Sequence, residues 1–359
     1  MTLLRIGNQP MRYAWGNSEL LADLLGVPTP EYPIAEQWFG THPTAPSEVL
    51  DPSAGTLLER RGELGYLVKF LSSAMPLSIQ AHPNREQAQR QFAAGHKSYS
   101  DANHKPEMII AITEFRALCG FRPKSELAQE LKMLAEASPQ FTELSESFDA
   151  AGYEAAIRWI YEADEPPILA LVANANVLGR KRARLVEQLF QQFGEDRGIL
   201  VSVLMNLVSL EPNEAMYLPA GNIHAYLSGL GVEVMAASDN VLRGGLTQKP
   251  IDVRELTKIL DYRELAEPKI LARQMAQGLW HYPSPAEDFQ VYRVEPSVNH
   301  LLVDLELNGS AIAVCTQGEI ILSTSQEEAL TLKRGQAAFM ADSNYFSVSG
   351  SGTGFLALG

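Results

Sequence analysis

Four residues of the chain have side chains suited to holding a metal ion: Gln80, His82, Glu107 and His224. Imidazoles, a carboxylate and an amide oxygen are plausible ligands for a borderline ion such as zinc. In the run Leu77-Ser78-Ile79-Gln80-Ala81-His82-Pro83-Asn84, the alternation of an extended segment puts Ser78, Gln80 and His82 on one face. Lys105 precedes Pro106, which biases it towards an extended conformation, so Lys105 and Glu107 are expected to project together. Two polar faces of this kind among apolar strands read as the lining of a pocket.

A second group lies in the stretch from Gly231 to Lys249. Arg243 stands against Gly244-Gly245, where the backbone is free to fold tightly. Arginine binds phosphate through a bidentate fork and lysine as a point charge, so Lys69, Lys105, Arg243 and Lys249 form a candidate cationic group. His42 and His96 read as loop residues without a role. His104 neighbours Lys105, but in an extended chain it points away from it, so it ranks as a secondary lining residue.

The elements that must position these residues fall into three textures. The chain up to about residue 120 holds short apolar runs, Tyr66-Leu67-Val68-Lys69-Phe70-Leu71 and Met108-Ile109-Ile110-Ala111-Ile112, which read as strands. From about 123 to 199 the period becomes helical: Leu127, Leu131 and Leu134, then Leu185, Val186, Leu189, Phe190 and Phe193, closed by Gly194. Strand character is expected again at Gly198-Ile199-Leu200-Val201 and at Ala215 to Pro219. Asp252 and Glu255 fit a capping box opening a helix that contains Leu256, Ile259 and Leu260. Short strands and turns resume from about 285. The segments 210–221 and 332–341 echo each other, each setting a charged turn before a hydrophobic strand, and only the first is followed by a histidine. Two jelly-roll barrels, one of them metal-bearing, account for this.

With 359 residues the chain can bury more than one core. No apolar run is long enough to cross a bilayer, and the first residues lack the layout of a secretory signal. Cys119 and Cys315 are too few for a disulfide framework or a cysteine zinc site. A cytoplasmic location is the simplest reading. The net charge of −14 argues against nucleic acid and anionic membranes as partners, while leaving room for a small phosphorylated ligand at a local cationic site.

The chain resembles the class I mannose-6-phosphate isomerases over nearly its whole length. The resemblance rests on Tyr13-Ala14-Trp15-Gly16, Ser78 to Pro83, Tyr99 to Glu107, His224 to Gly229, and Glu233 to Lys249. It implies a mainly β fold with a helical insertion: a cupin-type jelly-roll catalytic barrel plus a second, C-terminal cupin-like barrel. The expected units are a catalytic domain of 1–122 and 200–264, a helical domain of 123–199 and a C-terminal barrel of 265–359. Gln80, His82, Glu107 and His224 match the family's zinc ligands, one Zn2+ per chain. Arg243 matches its active-site arginine. Trp15, Ser78, Lys105, Tyr226, Glu233 and Lys249 match pocket-lining positions, Lys69 a phosphate contact, and His104 and Asp239 complete the expected substrate-binding set.

The activity so implied is interconversion of D-mannose 6-phosphate and D-fructose 6-phosphate through a cis-enediol(ate), in a protein expected to be monomeric. Lys105, Glu233 and a zinc-bound water are the candidate bases, and Lys105 is favoured because its register sets it beside Glu107. Two other readings stand beside this one. A non-haem iron cupin oxygenase also uses two histidines and a carboxylate, but Gln80 leaves it fewer open positions. A non-catalytic sugar-phosphate-binding cupin would be expected to lose the lysine or arginine, and both are present.

Overall fold

The computed structural model describes residues 2–50, 55–297, 302–307, 309–324, 329–343 and 345–359. Its strands pair antiparallel into two large sheets, which is the mainly β architecture expected. The first sheet is organised on the long strand His224–Ala236. Residues 224–228 of that strand pair with Ile79–Ala81 and Phe115–Phe121. Residues 229–236 pair instead with Tyr66–Ser73 and Glu107–Ala111. The strand therefore turns the corner from one wall of a barrel to the other. A bulge between Tyr226 and Ser228 marks the corner, as bulges commonly do where a strand must bend. Gly229 follows it with φ +120°, and a Cβ there would meet the Glu114 carbonyl oxygen at 2.5 Å.

The second sheet is built on Ser310–Thr324 and Tyr345–Leu358. The N-terminal strand Thr2–Gly7 joins it, pairing with Ala337–Ala341. The echo seen in the sequence has a physical form here. Ala215–Leu218 and Ala337–Ala341 each follow a turn with a positive-φ residue, Asn213 (φ 73°) and Gly335 (φ 82°).

Between Phe115–Phe121 and Met205–Leu210 of the first sheet lie the helices Lys124–Ala137, Thr142–Glu162, Ile168–Asn174 and Arg180–Phe193. Leu127, Leu131, Leu134, Leu185, Val186 and Leu189 are buried as their spacing predicts. One expectation fails. Gly198-Ile199-Leu200-Val201 is not a strand but the start of the helix Gly198–Leu204, and the strand begins at Met205. All seven residues of that helix are buried, so it carries no polar face, and a short apolar run without one has no period to tell helix from strand. The helix Val253–Ile259 opens on Asp252, whose carboxylate accepts from the Glu255 amide. That is the N-cap half of the expected capping box. Cys119 and Cys315 are buried free thiols. No helix among the described residues is long and apolar enough to cross a membrane.

Candidate active site

At one end of the first barrel, three strands bring the expected ligands together. Gln80 lies opposite both His224 and Arg243 across the sheet, so these three share a face. Glu107 starts its strand opposite Met235 and Leu218. His82 follows Ile79–Ala81 and is fully buried. Among the described residues, His82, Glu107 and His224 form a buried group whose ligand atoms lie within 4.8 Å of one another.

The hydrogen bonds fix how these side chains point. His82 donates from Nδ1 to the Asn240 carbonyl at 2.7 Å, and His224 from Nδ1 to the Asn222 carbonyl at 3.0 Å. Each Nε2 is then a lone-pair donor aimed inward, the second-sphere arrangement usual for metal-binding imidazole. Those lone pairs face Glu107, His82 Nε2 at 3.4 Å from Oε1 and His224 Nε2 at 3.3 Å from Oε2. His82 Nε2 and Glu107 Oε2 lack a hydrogen-bond partner although both are buried. Burial lowers the pKa of His82 further, which keeps it neutral. A neutral imidazole lone pair set against a carboxylate is unfavourable without a cation between them. The donor set therefore fits a metal ion. The Gln80 amide nitrogen lies beside this group, 3.3 Å from His224 Nε2.

Glu107 also carries the next cation. Lys105 Nζ lies 3.1 Å from Oε1. Burial opposes ionisation of Glu107, but its charged and polar neighbours, Lys105 foremost, outweigh it. The carboxyl is held well below the usual range.

Beyond Lys105 a second buried chain begins. Lys69 Nζ pairs with Glu233 Oε2 at 3.0 Å, and Glu233 Oε1 accepts from the Tyr226 hydroxyl at 2.9 Å. Burial pulls the Lys69 pKa down, while Glu233, Glu36 and Glu107 raise it by more, so it stays above the ordinary lysine value. Arg243 lines a cavity of about 750 Å³ with Lys97, Ser98, Ser100 and Asp239. Trp15 stacks on Tyr13 with 5.4 Å between ring centroids and packs against the core that includes Tyr226. Ser78 is half-buried one residue before the strand.

Two expected site residues stand apart. His104 turns from Lys105, as alternation predicts, and sets Nε2 2.8 Å from Asp288 and 2.7 Å from Arg85. Lys249 is exposed in the loop after Leu246, outside the cavity that Arg243 lines.

Sequence reasoning missed several residues. Glu36 is buried, accepts from Trp38 Nε1 at 2.9 Å and approaches Lys69 at 3.8 Å. His42 sets Nε2 3.2 Å from both Asp239 oxygens at the rim. Asn240, fully buried, locks the loop 100–103 through five hydrogen bonds to Ser100, Asp101 and Asn103. A lysine inside the apolar run 66–71 was a signal for a buried acid, since such a charge is rarely buried unpaired.

Fold and site together define a cupin-type protein with a candidate metal centre in the mouth of its first barrel. Residues 3–124 match the family model described as "Phosphomannose isomerase type I, catalytic domain". The chain is 34% identical over 384 residues to the mannose-6-phosphate isomerase of Escherichia coli, covering 98% of this chain and 97% of that one. The human enzyme of the same name is 34% identical over 388 residues, 92% of this chain and 91% of its own. Among solved structures, a variant phosphomannose isomerase from Salmonella typhimurium superposes with a TM-score of 0.90 at 29% identity, covering 99% of each chain. A mannose 6-phosphate isomerase bound with zinc and yttrium gives 0.89 at 29% identity, over 100% of this chain and 99% of the other. The chain belongs to the type I mannose-6-phosphate isomerase family.

Proposed function

We propose that the protein interconverts D-mannose 6-phosphate and D-fructose 6-phosphate, with one Zn2+ held by Gln80, His82, Glu107 and His224. The observation that carries this reading is the position of Glu107, whose two oxygens join the metal donors to Lys105. Zinc, when bound, supplies positive charge that stabilises a developing oxyanion on the sugar.

The rest is done by the protein's own groups. Lys105 acts as proton carrier at the end of its buried stem. As the neutral amine it removes the proton from C2 of the open-chain aldose, and as the ammonium so formed it returns that proton to C1. Meanwhile the C1 carbonyl oxygen gains a proton and the C2 hydroxyl loses one, through a cis-enediol(ate). Glu233, engaged by Lys69 and Tyr226, orients the sugar hydroxyls. Arg243 meets anionic charge at the cavity mouth, where Ser78, Trp15 and Asp239 are proposed to line the substrate path. Lys69 is proposed to act in the buried chain rather than as a free phosphate contact, because two carboxylates already neutralise it. His104 and Lys249 are proposed as supporting rather than substrate-touching residues.

The three-unit division, 1–122 with 200–264, 123–199 and 265–359, remains our proposal, with the first strand lent to the C-terminal sheet. A monomer in the cytoplasm goes with the same reading, and light scattering and fractionation test it. The decisive experiment is a coupled assay of fructose 6-phosphate formation with and without chelator. Turnover that chelation abolishes and zinc restores is expected. A fully zinc-loaded sample without turnover overturns the function.

A further inference from the structure

Glu36 is a buried carboxylate that the proposed chemistry does not use. Its strand, Glu36–Phe39, runs antiparallel to Tyr66–Ser73 with Trp38 opposite Lys69, and Lys69 in turn lies opposite Glu233. Alternation then puts Glu36, Trp38, Lys69 and Glu233 on one face. Contacts run unbroken along it. Trp38 Nε1 donates to Glu36 Oε2 at 2.9 Å, and Glu36 Oε1 lies 3.8 Å from Lys69 Nζ. Lys69 Nζ lies 3.0 Å from Glu233 Oε2, and Tyr226 donates to Glu233 Oε1 at 2.9 Å. The Lys69 ammonium also sits 5.0 Å from the centre of the Trp38 ring. Glu36, Lys69 and Glu233 are all buried.

One ammonium thus stands between two carboxylates. A lysine head is a point charge on a flexible stem, so one partner alone leaves it several positions. The second carboxylate, itself anchored by the indole, removes that freedom. We propose that Glu36 is a positioning residue for the reaction, acting through Lys69 to hold the Glu233 carboxylate in place beside Tyr226. This rests on the isomerase reading above. The direct side-chain partners of Glu36 are Trp38 and Lys69, so its contact with the reacting groups runs through the Lys69–Glu233 pair.

The test is a double-mutant cycle on the zinc-loaded protein with Glu36→Gln, Lys69→Gln and both together. Glu36→Gln is expected to lower kcat about tenfold or more while KM for mannose 6-phosphate stays within about threefold. Zinc content and the circular-dichroism spectrum stay as in the wild type. The double variant is expected to be no slower than Lys69→Gln alone, because coupled residues are not additive. A wild-type kcat for Glu36→Gln overturns the proposal, and so do single losses that multiply in the double variant. If Glu36→Gln does not fold, Trp38→Phe deletes the donor to Glu36. It is expected to lower kcat only when Lys69 is present, and an unchanged kcat overturns the proposal. A zinc-loaded wild type without turnover overturns the isomerase reading and the positioning role with it. Wild-type turnover with multiplying losses overturns the positioning role alone.

Discussion

His224 and Glu233 lie an odd number of residues apart on one strand, yet both side chains stand on the face that carries Tyr226. His224 faces Glu107, while Glu233 accepts the hydroxyl of Tyr226, which shares a face with His224. A strict two-residue alternation would send Glu233 to the opposite wall. The bulge between Tyr226 and Ser228 resets the alternation as the strand passes from one set of partners to the other. One strand thereby supplies both a histidine of the candidate metal group and a carboxylate of the neighbouring buried chain.

Gly229→Ala tests that device. The glycine adopts φ +120°, and an added Cβ would lie 2.5 Å from the Glu114 carbonyl oxygen and 2.8 Å from Phe115 Cα. Side chains tolerate this backbone region poorly, so a cost of at least about 2 kcal/mol is expected. Zinc affinity should fall with it, since the corner sets the angle between His224 and Glu107. Urea denaturation and a zinc titration measure the two effects, and a variant as stable as the wild type would show that the corner tolerates a side chain.

Glu107→Ala separates the structural from the metal-binding role of the carboxylate. It strips the buried Lys105 of its partner at 3.1 Å. Breaking a buried pair from one side typically costs about 3–5 kcal/mol. That loss should appear in the metal-free protein, by urea denaturation with chelator present. Glu107→Ala combined with Lys105→Met should recover much of the stability while leaving turnover absent.

The grouping of His82, Glu107 and His224 was legible from the long motifs around them, which carry the family resemblance, and from the alternation of the run 78–82. Alternation even assigned His104 correctly to the far side of Lys105. Glu36 was not legible. In Ala35-Glu36-Gln37-Trp38 two adjacent polar residues point to opposite faces and give no sign of which is buried, and only the pairing with Tyr66–Ser73 brings Glu36 to Lys69. The bulge at the corner left no mark that a period could detect. Gly198–Leu204 was misread for a related reason, because burial on all sides erases amphipathicity.

Asp288 gives the pH dependence. It comes from the C-terminal part of the chain and meets His104 at 2.8 Å and Arg85 at 2.9 Å. Burial raises its pKa, but the bond and charge of His104, then Arg85, outweigh this, and the net shift is downward. A depressed folded pKa contributes stability that is fully present above the ordinary aspartate value. It is lost as pH falls through the lower folded value. Acid denaturation of the wild type should therefore steepen below the ordinary aspartate range. Asp288→Asn should flatten that limb while being less stable at neutral pH. Parallel acid limbs in the two proteins would remove Asp288 from the linkage.

Tyr226→Phe isolates one hydrogen bond of the buried chain. The phenol donates to Glu233 Oε1 at 2.9 Å, and its ring meets Phe115 edge-on with centroids 5.2 Å apart. Phenylalanine keeps the ring contact and deletes only the donor. A hydrogen bond to a charged acceptor contributes about 1.5–3 kcal/mol, so kcat should fall roughly ten- to a hundredfold if Glu233 must be held during turnover. Phe115→Leu is the control, because it loosens the same packing without touching Glu233. It should lower the melting temperature while leaving kcat near the wild-type value. Steady-state kinetics and thermal melts on the zinc-loaded variants give both readouts. Equal kcat for Tyr226→Phe and the wild type would mean that Lys69 alone holds the carboxylate.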